Sequence, residues 1–252
     1  MKSTEVIDES SDLTLPGSYS DDLILSKLWL AQQLKKIMQQ QDIDRIPVAY
    51  VLGSWYGNVS AILRKADMPI GIVVDVEKNR GWLTQGRQIH RAWNLSNIGY
   101  LNADANRVKY DKLSSPALVI NTSTNDIADH GWFDAIPSGT MVVLQGRDRV
   151  AAGAEHSFRN PDELLAMFPL ERVLYQGTKK LQDPETAYQR SMVIGIKGAD
   201  QLRELSFLGS PCTKDCSGHR AGYAWSQQRG GRQPASWSDS FNRGAALFAA
   251  GK

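Results

Sequence analysis

The 252-residue chain is poor in cysteine, and its only two thiols, Cys212 and Cys216, lie almost side by side. A pair so close cannot staple a fold in the way disulfides hold small secreted scaffolds. Long apolar runs are missing too: none approaches the roughly 20 residues of a membrane-spanning helix. The first residues, Met1-Lys-Ser-Thr-Glu-Val-Ile-Asp-Glu-Ser-Ser-Asp12, are polar and acidic and hold no apolar signal-peptide core. The expectation is a soluble, cytoplasmic protein with no membrane association. Charge of one sign is also lacking. A net charge of +2 argues neither for nor against a nucleic-acid partner. No internal repeat is visible.

What is present suffices for a packed core, since 42% of the residues are hydrophobic. The length suits one large domain or an ordinary domain with appendages. The most informative segment is Val48-Ala-Tyr-Val-Leu-Gly-Ser-Trp-Tyr-Gly-Asn58. A short apolar run ends in a glycine turn, and a helical pattern of Val59, Ile62 and Leu63 follows at once. This is the strand–turn–helix opening of a nucleotide-type α/β domain, with Gly53 and Gly57 where the backbone turns tightly and a ligand comes close. A second strand, Gly71-Ile-Val-Val-Asp75, brings an acid roughly 20 residues after the turn, the usual distance for gripping a ribose.

The pattern then alternates. Before the turn, Asp21 or Asp22 can cap a helix running to Gln41, with a broad apolar face from Leu23 to Met38. Strands are expected at Ala49–Leu52, Ile70–Val74, Ile98–Leu101, Ala117–Thr122 and Met141–Gln145. Helices are expected at Asn58–Lys65, within Lys78–Trp93 with a break near Gly81 and Gly86, near Val108–Leu113 and around Trp132–Ile136. Asn160-Pro-Asp-Glu163 is a strong helix start, for a helix reaching Phe168. The strands Arg172–Gln176 and Met192–Lys197, joined by a polar stretch, read as a long hairpin. Strands separated by helical patterns imply right-handed crossovers and a mainly parallel sheet.

The expected organisation is a flexible N-terminal segment over 1–20, an α/β domain over 21–198 and an irregular C-terminal tail over 199–252. The fold class is α/β, a Rossmann-like and mainly parallel seven-stranded sheet with helices on both faces and an antiparallel terminal strand pair. Five parallel strands followed by an antiparallel pair resemble the class I S-adenosylmethionine-dependent methyltransferases. The resemblance implies that Gly53, Ser54, Trp55, Tyr56 and Gly57 form the cofactor turn, that Asp75 holds the ribose and that Asp104 lies beside the adenine amino group. It also places Asn121-Thr-Ser-Thr-Asn-Asp126 where many members approach the methyl group. Asn121, Asp126 and His130 are therefore the catalytic candidates, and S-adenosylmethionine the expected cofactor, with an unidentified methyl acceptor.

Two departures stand out. The turn reads G-x-x-x-G with two aromatics inside it, not G-x-G-x-G. The fourth-strand segment is not the D/N-P-P-Y/F of amino methyltransferases acting on bases. With Ile-Asn-Thr-Ser at strand four and Val-Leu-Gln after strand five, the chain is similar to methyltransferase-like proteins of tailed bacteriophages. That likeness implies host cytoplasm or a virion as its place.

Several residues admit a plainer role. Asp75 can cap a turn, Asp104 belongs to an ordinary turn sequence, and Trp55 and Tyr56 can either stack on adenine or pack against the N-terminal helix. Asp126 and His130 can serve as a base or only as loop residues, as can His156, while His90 reads as structural.

In the tail, Cys212, Cys216 and His219 have zinc-ligand chemistry but no fourth partner, so a local disulfide or free thiols suit them better and no metal site is expected. Arg220, Arg229, Arg232 and Arg243 interleave with Tyr223, Trp225, Trp237 and Phe241. That mixture suits single-stranded nucleic acid or a protein partner, and the modest charge density favours protein docking. Two rivals to the enzyme reading remain. One is a virion or assembly component using the fold as a scaffold. The other is an NAD-dependent enzyme, against which the missing G-x-G-x-x-G and the closing antiparallel pair count.

Overall fold

Strand β1 (Ile46–Leu52) shows how the molecule is layered. Ala49 and Val51 face one hydrophobic cluster, and Val48, Tyr50 and Leu52 face another, as period-two side-chain geometry requires of a strand covered on both faces. The computed structural model describes residues 19–110, 117–149, 154–183 and 186–198. These all lie in the first of the two units into which the chain divides, Met1–Glu204 and Leu205–Lys252. The N-terminal residues 1–18 and the expected tail, including Cys212, Cys216, His219 and its arginines and aromatics, fall outside the described residues.

Helix α1 (Asp21–Gln40) precedes β1, and α2 (Asn58–Lys65) follows the glycine turn. Then come β2 (Ile70–Glu77), α3 (Arg80–Ala92), β3 (Ile98–Asn102), a single 3-10 turn at Ala105–Arg107, and β4 (Ala117–Asn121). The chain continues through α4 (Gly131–Asp134), β5 (Met141–Arg147) and α5 (Pro161–Met167), and closes with β6 (Arg172–Gln182) and β7 (Ala187–Ile196). The seven strands lie in the order β3-β2-β1-β4-β5-β7-β6. The first five are parallel, and β7 runs antiparallel to both its neighbours. The expected Rossmann-like sheet and its antiparallel pair are therefore present. A dinucleotide-binding sheet of the common order 3-2-1-4-5-6 has no such inserted strand.

Helices α1 and α2 cover one face of the sheet through Leu30, Leu34, Ile37, Val59 and Leu63. The other face is covered by Trp132 and Phe133 of α4 and by Leu164 and Phe168 at α5. Strand order reverses between β1 and β4, each leading to the same edge, and there an open α/β sheet leaves a crevice.

Several element limits differ from the sequence expectation. Ser20, not Asp21 or Asp22, occupies the N-cap position of α1, while the two acids form its first turn. The expected break in α3 is absent. Asn79 caps that helix by accepting from the Gly81 and Trp82 N–H groups, and the helix runs through Gly86. Of the helix expected near Val108–Leu113, residues 108–110 are not helical and 111–113 lie outside the described residues; a 3-10 turn precedes them. Most consequential is β2, which does not stop at Val74 but continues through Val76 to Glu77.

Candidate functional site

The turn after β1 needs its first glycine for two reasons. Gly53 has a φ of 59°, a left-handed conformation that costs a glycine little. A Cβ added there would also come within 3.0 Å of the Ser123 side chain, whose hydroxyl donates to the Gly53 carbonyl at 3.1 Å. Gly57, with a φ of 73°, stands at the N-cap position of α2, and a Cβ there would strike the His90 ring. Between them, Trp55 is also left-handed, with a φ of 52°. A bulky residue in that region is a true outlier, so something must hold it. Its N–H donates to Glu77 Oε2 at 3.1 Å.

Glu77 is the acid at the carboxyl end of β2. Its other oxygen accepts from the Asn79 N–H at 2.8 Å, so one carboxylate ties the glycine turn to the start of α3. Trp82, in the first turn of that helix, sits beside both Trp55 and Tyr56, with ring centroids 6.1 and 6.0 Å away. The two aromatics of the turn then part company. Tyr56 packs with Tyr19 and Ile24 from the start of the chain, and its carbonyl accepts from the Tyr19 hydroxyl at 2.9 Å. Trp55 lines a cleft.

That cleft encloses about 460 Å3, its open mouth included. Gly53, Ser54, Trp55 and Asn58 form one wall, and Leu23 and Lys27 of α1 another. The segment after β4 supplies Thr122, Ser123, Asn125 and Asp126, and β5 and β7 add Arg147 and Arg190. The 122–126 segment is tightly fixed. Thr124 donates to the Gln145 carbonyl at 2.7 Å, and the Asn125 side chain donates to the Arg147 and His156 carbonyls while accepting from the Arg147 N–H. Asp126 forms a 3.2 Å ion pair with Arg147.

The residues singled out in the sequence therefore separate. Gly53, Ser54, Trp55 and Asp126 line one cleft. Asn121 ends β4 fully buried beneath it; its side-chain oxygen accepts from the Ser123 N–H, and its NH2 group has no partner among the described residues. Asp104 is exposed after β3, accepting from the Asn106 N–H at the 3-10 turn. His130 packs edge-on against Phe168, 5.1 Å between centroids, beside His156.

Asp75 is not the terminal acid of β2. It lies one side-chain step deeper on the same face as Glu77, with 1% of its surface exposed, and accepts from Ser60 at 2.5 Å. Burial pushes its carboxyl up to about 7, the Ser60 hydrogen bond opposing and the charge of Glu77 assisting. His90, fully buried next to it, donates through Nε2 to the Gly57 carbonyl and accepts at Nδ1 from the Tyr100 hydroxyl, both at 2.9 Å. Burial lowers the imidazole's pKa and favours the neutral ring, the Gly57 carbonyl opposing. The 3.9 Å approach of Asp75 to His90 is thus a contact within a packed cluster, not an ion pair.

No family model and no curated protein matches the chain. Among solved structures the chain is similar to several methyltransferases. The N-methyltransferase NodS from Bradyrhizobium japonicum WM9, in complex with S-adenosyl-L-homocysteine, is 13% identical, with 73% of this chain and 94% of that one covered and a TM-score of 0.49. Magnesium protoporphyrin IX methyltransferase (ChlM) from Synechocystis PCC 6803, with bound S-adenosylmethionine, is 10% identical over 73% and 86%, with a TM-score of 0.47. An rRNA methylase from Streptococcus thermophilus is 14% identical over 71% and 98%, with a TM-score of 0.44. At such identities and TM-scores nothing about the reaction rests on the likeness.

Five residues of the site had escaped the sequence reading. Glu77 lies beyond Asp75, the strand's first polar residue, where the sequence expectation stops. The apolar Val76 beyond Asp75 was the signal that the alternation continued. Trp82 was hidden by the expected break at Gly81. Lys27 lies on the apolar stripe of α1, between Leu23 and Leu30, where a lysine is out of place. Arg147 and Arg190 were hidden by strand limits set too short at β5 and β7.

Proposed function

We propose that the chain binds S-adenosylmethionine at the carboxyl ends of β1, β2 and β4 and passes its methyl group to an acceptor held against the 122–126 segment. One observation carries this reading. Glu77 stands at the end of β2 with an oxygen 3.1 Å from the Trp55 N–H, beside a left-handed glycine turn at the point where strand order reverses. A ribose diol asks for two adjacent acceptor oxygens; the buried Glu77 carboxylate already accepts from the Trp55 and Asn79 N–H groups and would meet the diol through its remaining lone pairs. The ribose role expected of Asp75 therefore belongs to Glu77. Trp55 and Trp82 offer flat faces for the adenine, and Asp104 lies at the end of the neighbouring strand for its amino group.

The donor carries its own activation, so the protein has mainly to align the acceptor nucleophile, the methyl carbon and the sulfur. The bond from sulfur to methyl breaks, its electron pair stays on sulfur to give S-adenosylhomocysteine, and the new bond forms to the acceptor. Asp126, in the cleft and held by Arg147, is the group placed to take the acceptor's proton. Asn121 supports the segment from below by accepting from the Ser123 N–H. His130, packed on Phe168, has no part in the step.

Calorimetric titration tests the reading. Both S-adenosylmethionine and S-adenosylhomocysteine should bind saturably, and Glu77→Ala should weaken each at least about tenfold, a loss of about 1.4 kcal/mol. Asp75→Asn should leave the affinity within about threefold, at the same cost scale. Absence of saturable binding to either compound sinks the proposal.

A further inference from the structure

Three cations converge on the cleft from three elements: Lys27 from α1, Arg147 from the end of β5 and Arg190 from β7. One carboxylate lines the same cleft, Asp126, and it is paired to Arg147. Lys27 and Arg190 have no ion pair among the described residues, yet only 3% and 4% of their surfaces are exposed. Lys27 Nζ donates to the neutral Gln145 amide oxygen at 2.9 Å. The Arg190 guanidinium lies 5.8 Å from the Tyr188 ring centroid and hydrogen-bonds to the Tyr188 hydroxyl, while its Nε has no acceptor among the described residues. Asp22, the other acid in electrostatic reach, is occupied by the Ser20 and Tyr188 hydroxyls, each at 2.6 Å. Two buried cations with no carboxylate in ion-pair contact, answered only at a distance by Asp22 and, for Lys27, Asp126, are costly, and a hydrogen bond to an amide does not offset the loss of water.

We propose that this wall receives an anionic group of the methyl acceptor, a carboxylate or a phosphate, gripped by Arg190 and Lys27 with Arg147 at the rim. The inference rests on reading the cleft as the S-adenosylmethionine site. The donor itself does not answer the surplus. Its carboxylate is matched by its own α-ammonium, and the sulfonium leaves it a net cation, which a cationic wall repels. An anionic acceptor neutralises the wall and so favours the donor. A guanidinium also presents the paired donors that suit carboxylate and phosphate oxygens.

The protonation of Lys27 agrees with this arrangement. Burial, and after it the charge of Arg190, pushes its ammonium well below the ordinary lysine range, with Arg147 adding to the effect and Asp22 and Asp126 opposing it. An anion between Lys27 and Arg190 opposes that repulsion and favours the ammonium form.

Calorimetry on the full chain, with inorganic phosphate and malonate as separate probes, tests the proposal. At least one probe should bind saturably, and the preferred one identifies the acceptor's group. Its saturation should tighten S-adenosylmethionine at least threefold, and uncharged-sulfur S-adenosylhomocysteine less, by reciprocal coupling. Arg190→Gln and Lys27→Met should each weaken the probe at least tenfold while S-adenosylhomocysteine affinity stays within twofold. Should either variant fail to fold, the coupling measured on the unaltered protein decides alone. Binding of neither probe, or a probe that competes with S-adenosylhomocysteine, overturns the inference and leaves the cofactor reading standing. Probe binding with no affinity for either adenosyl compound removes the cofactor reading, and with it the assignment to a methyl acceptor.

Discussion

Asp75 and Glu77 are chemically alike and two residues apart, yet the sheet gives them different work. Both project to the same face of β2, but Asp75 lies under α2 and His90 while Glu77 reaches the strand end. Burial raises the Asp75 carboxyl to about 7, so between about pH 4 and 7 the folded protein holds a proton that the unfolded chain has released. The stability contributed by that proton is complete below the unfolded value near 4 and is lost as the pH rises through about 7. Urea unfolding at pH 5 and pH 8 should show the protein less stable at pH 8, on the order of a few kcal/mol in the limit of full burial. Asp75→Asn should flatten most of that slope. An unchanged slope in the variant would mean that other groups carry it. The difference between the two acids was legible only through the period of the strand, because spacing from the glycine turn fits either.

At the scale of elements, the sequence showed where helices and strands exist better than where they end. The α2 limits came directly from the apolar spacing after Gly57, and the α5 start from Asn160, whose side chain accepts from the Glu163 N–H at 3.0 Å. The hairpin was harder. Strand β6 is a sheet edge with exposed polar side chains along one side, Gln176, Thr178, Lys180 and Gln182, so half of it carries no apolar signal.

In α3, Gly86 misled for a different reason. It is there for proximity and not for flexibility: an added Cβ would come within 2.9 Å of the Tyr56 backbone. Helix propensity alone would have Ala stabilise this position by about 1 kcal/mol. The close approach reverses the sign, and Gly86→Ala should destabilise by about 1–3 kcal/mol in chemical denaturation. Gly81→Ala, whose Cβ would meet only the Asn79 side-chain oxygen at 3.2 Å, should stay within about 0.5 kcal/mol. Equal effects at both glycines would contradict the packing account.

For the whole molecule, the alternation of apolar runs and helical patterns was enough to anticipate a sheet with five parallel strands and an antiparallel finish. The position of the cleft then followed from topology. Its chemistry did not, since Lys27, Arg147 and Arg190 come together from positions spread over the whole domain and nothing local joins them. No helix among the described residues is long and apolar enough to cross a membrane. The central claim is that the cleft at the β1–β4 reversal, with Glu77 holding its Trp55 N–H, binds the adenosyl donor. Hydrogen exchange of the full chain with and without S-adenosylhomocysteine measures it directly. The account predicts added protection concentrated in 53–58 and 77–82, with a smaller effect over 122–126; protection confined to other segments, or none at saturating ligand, would contradict it.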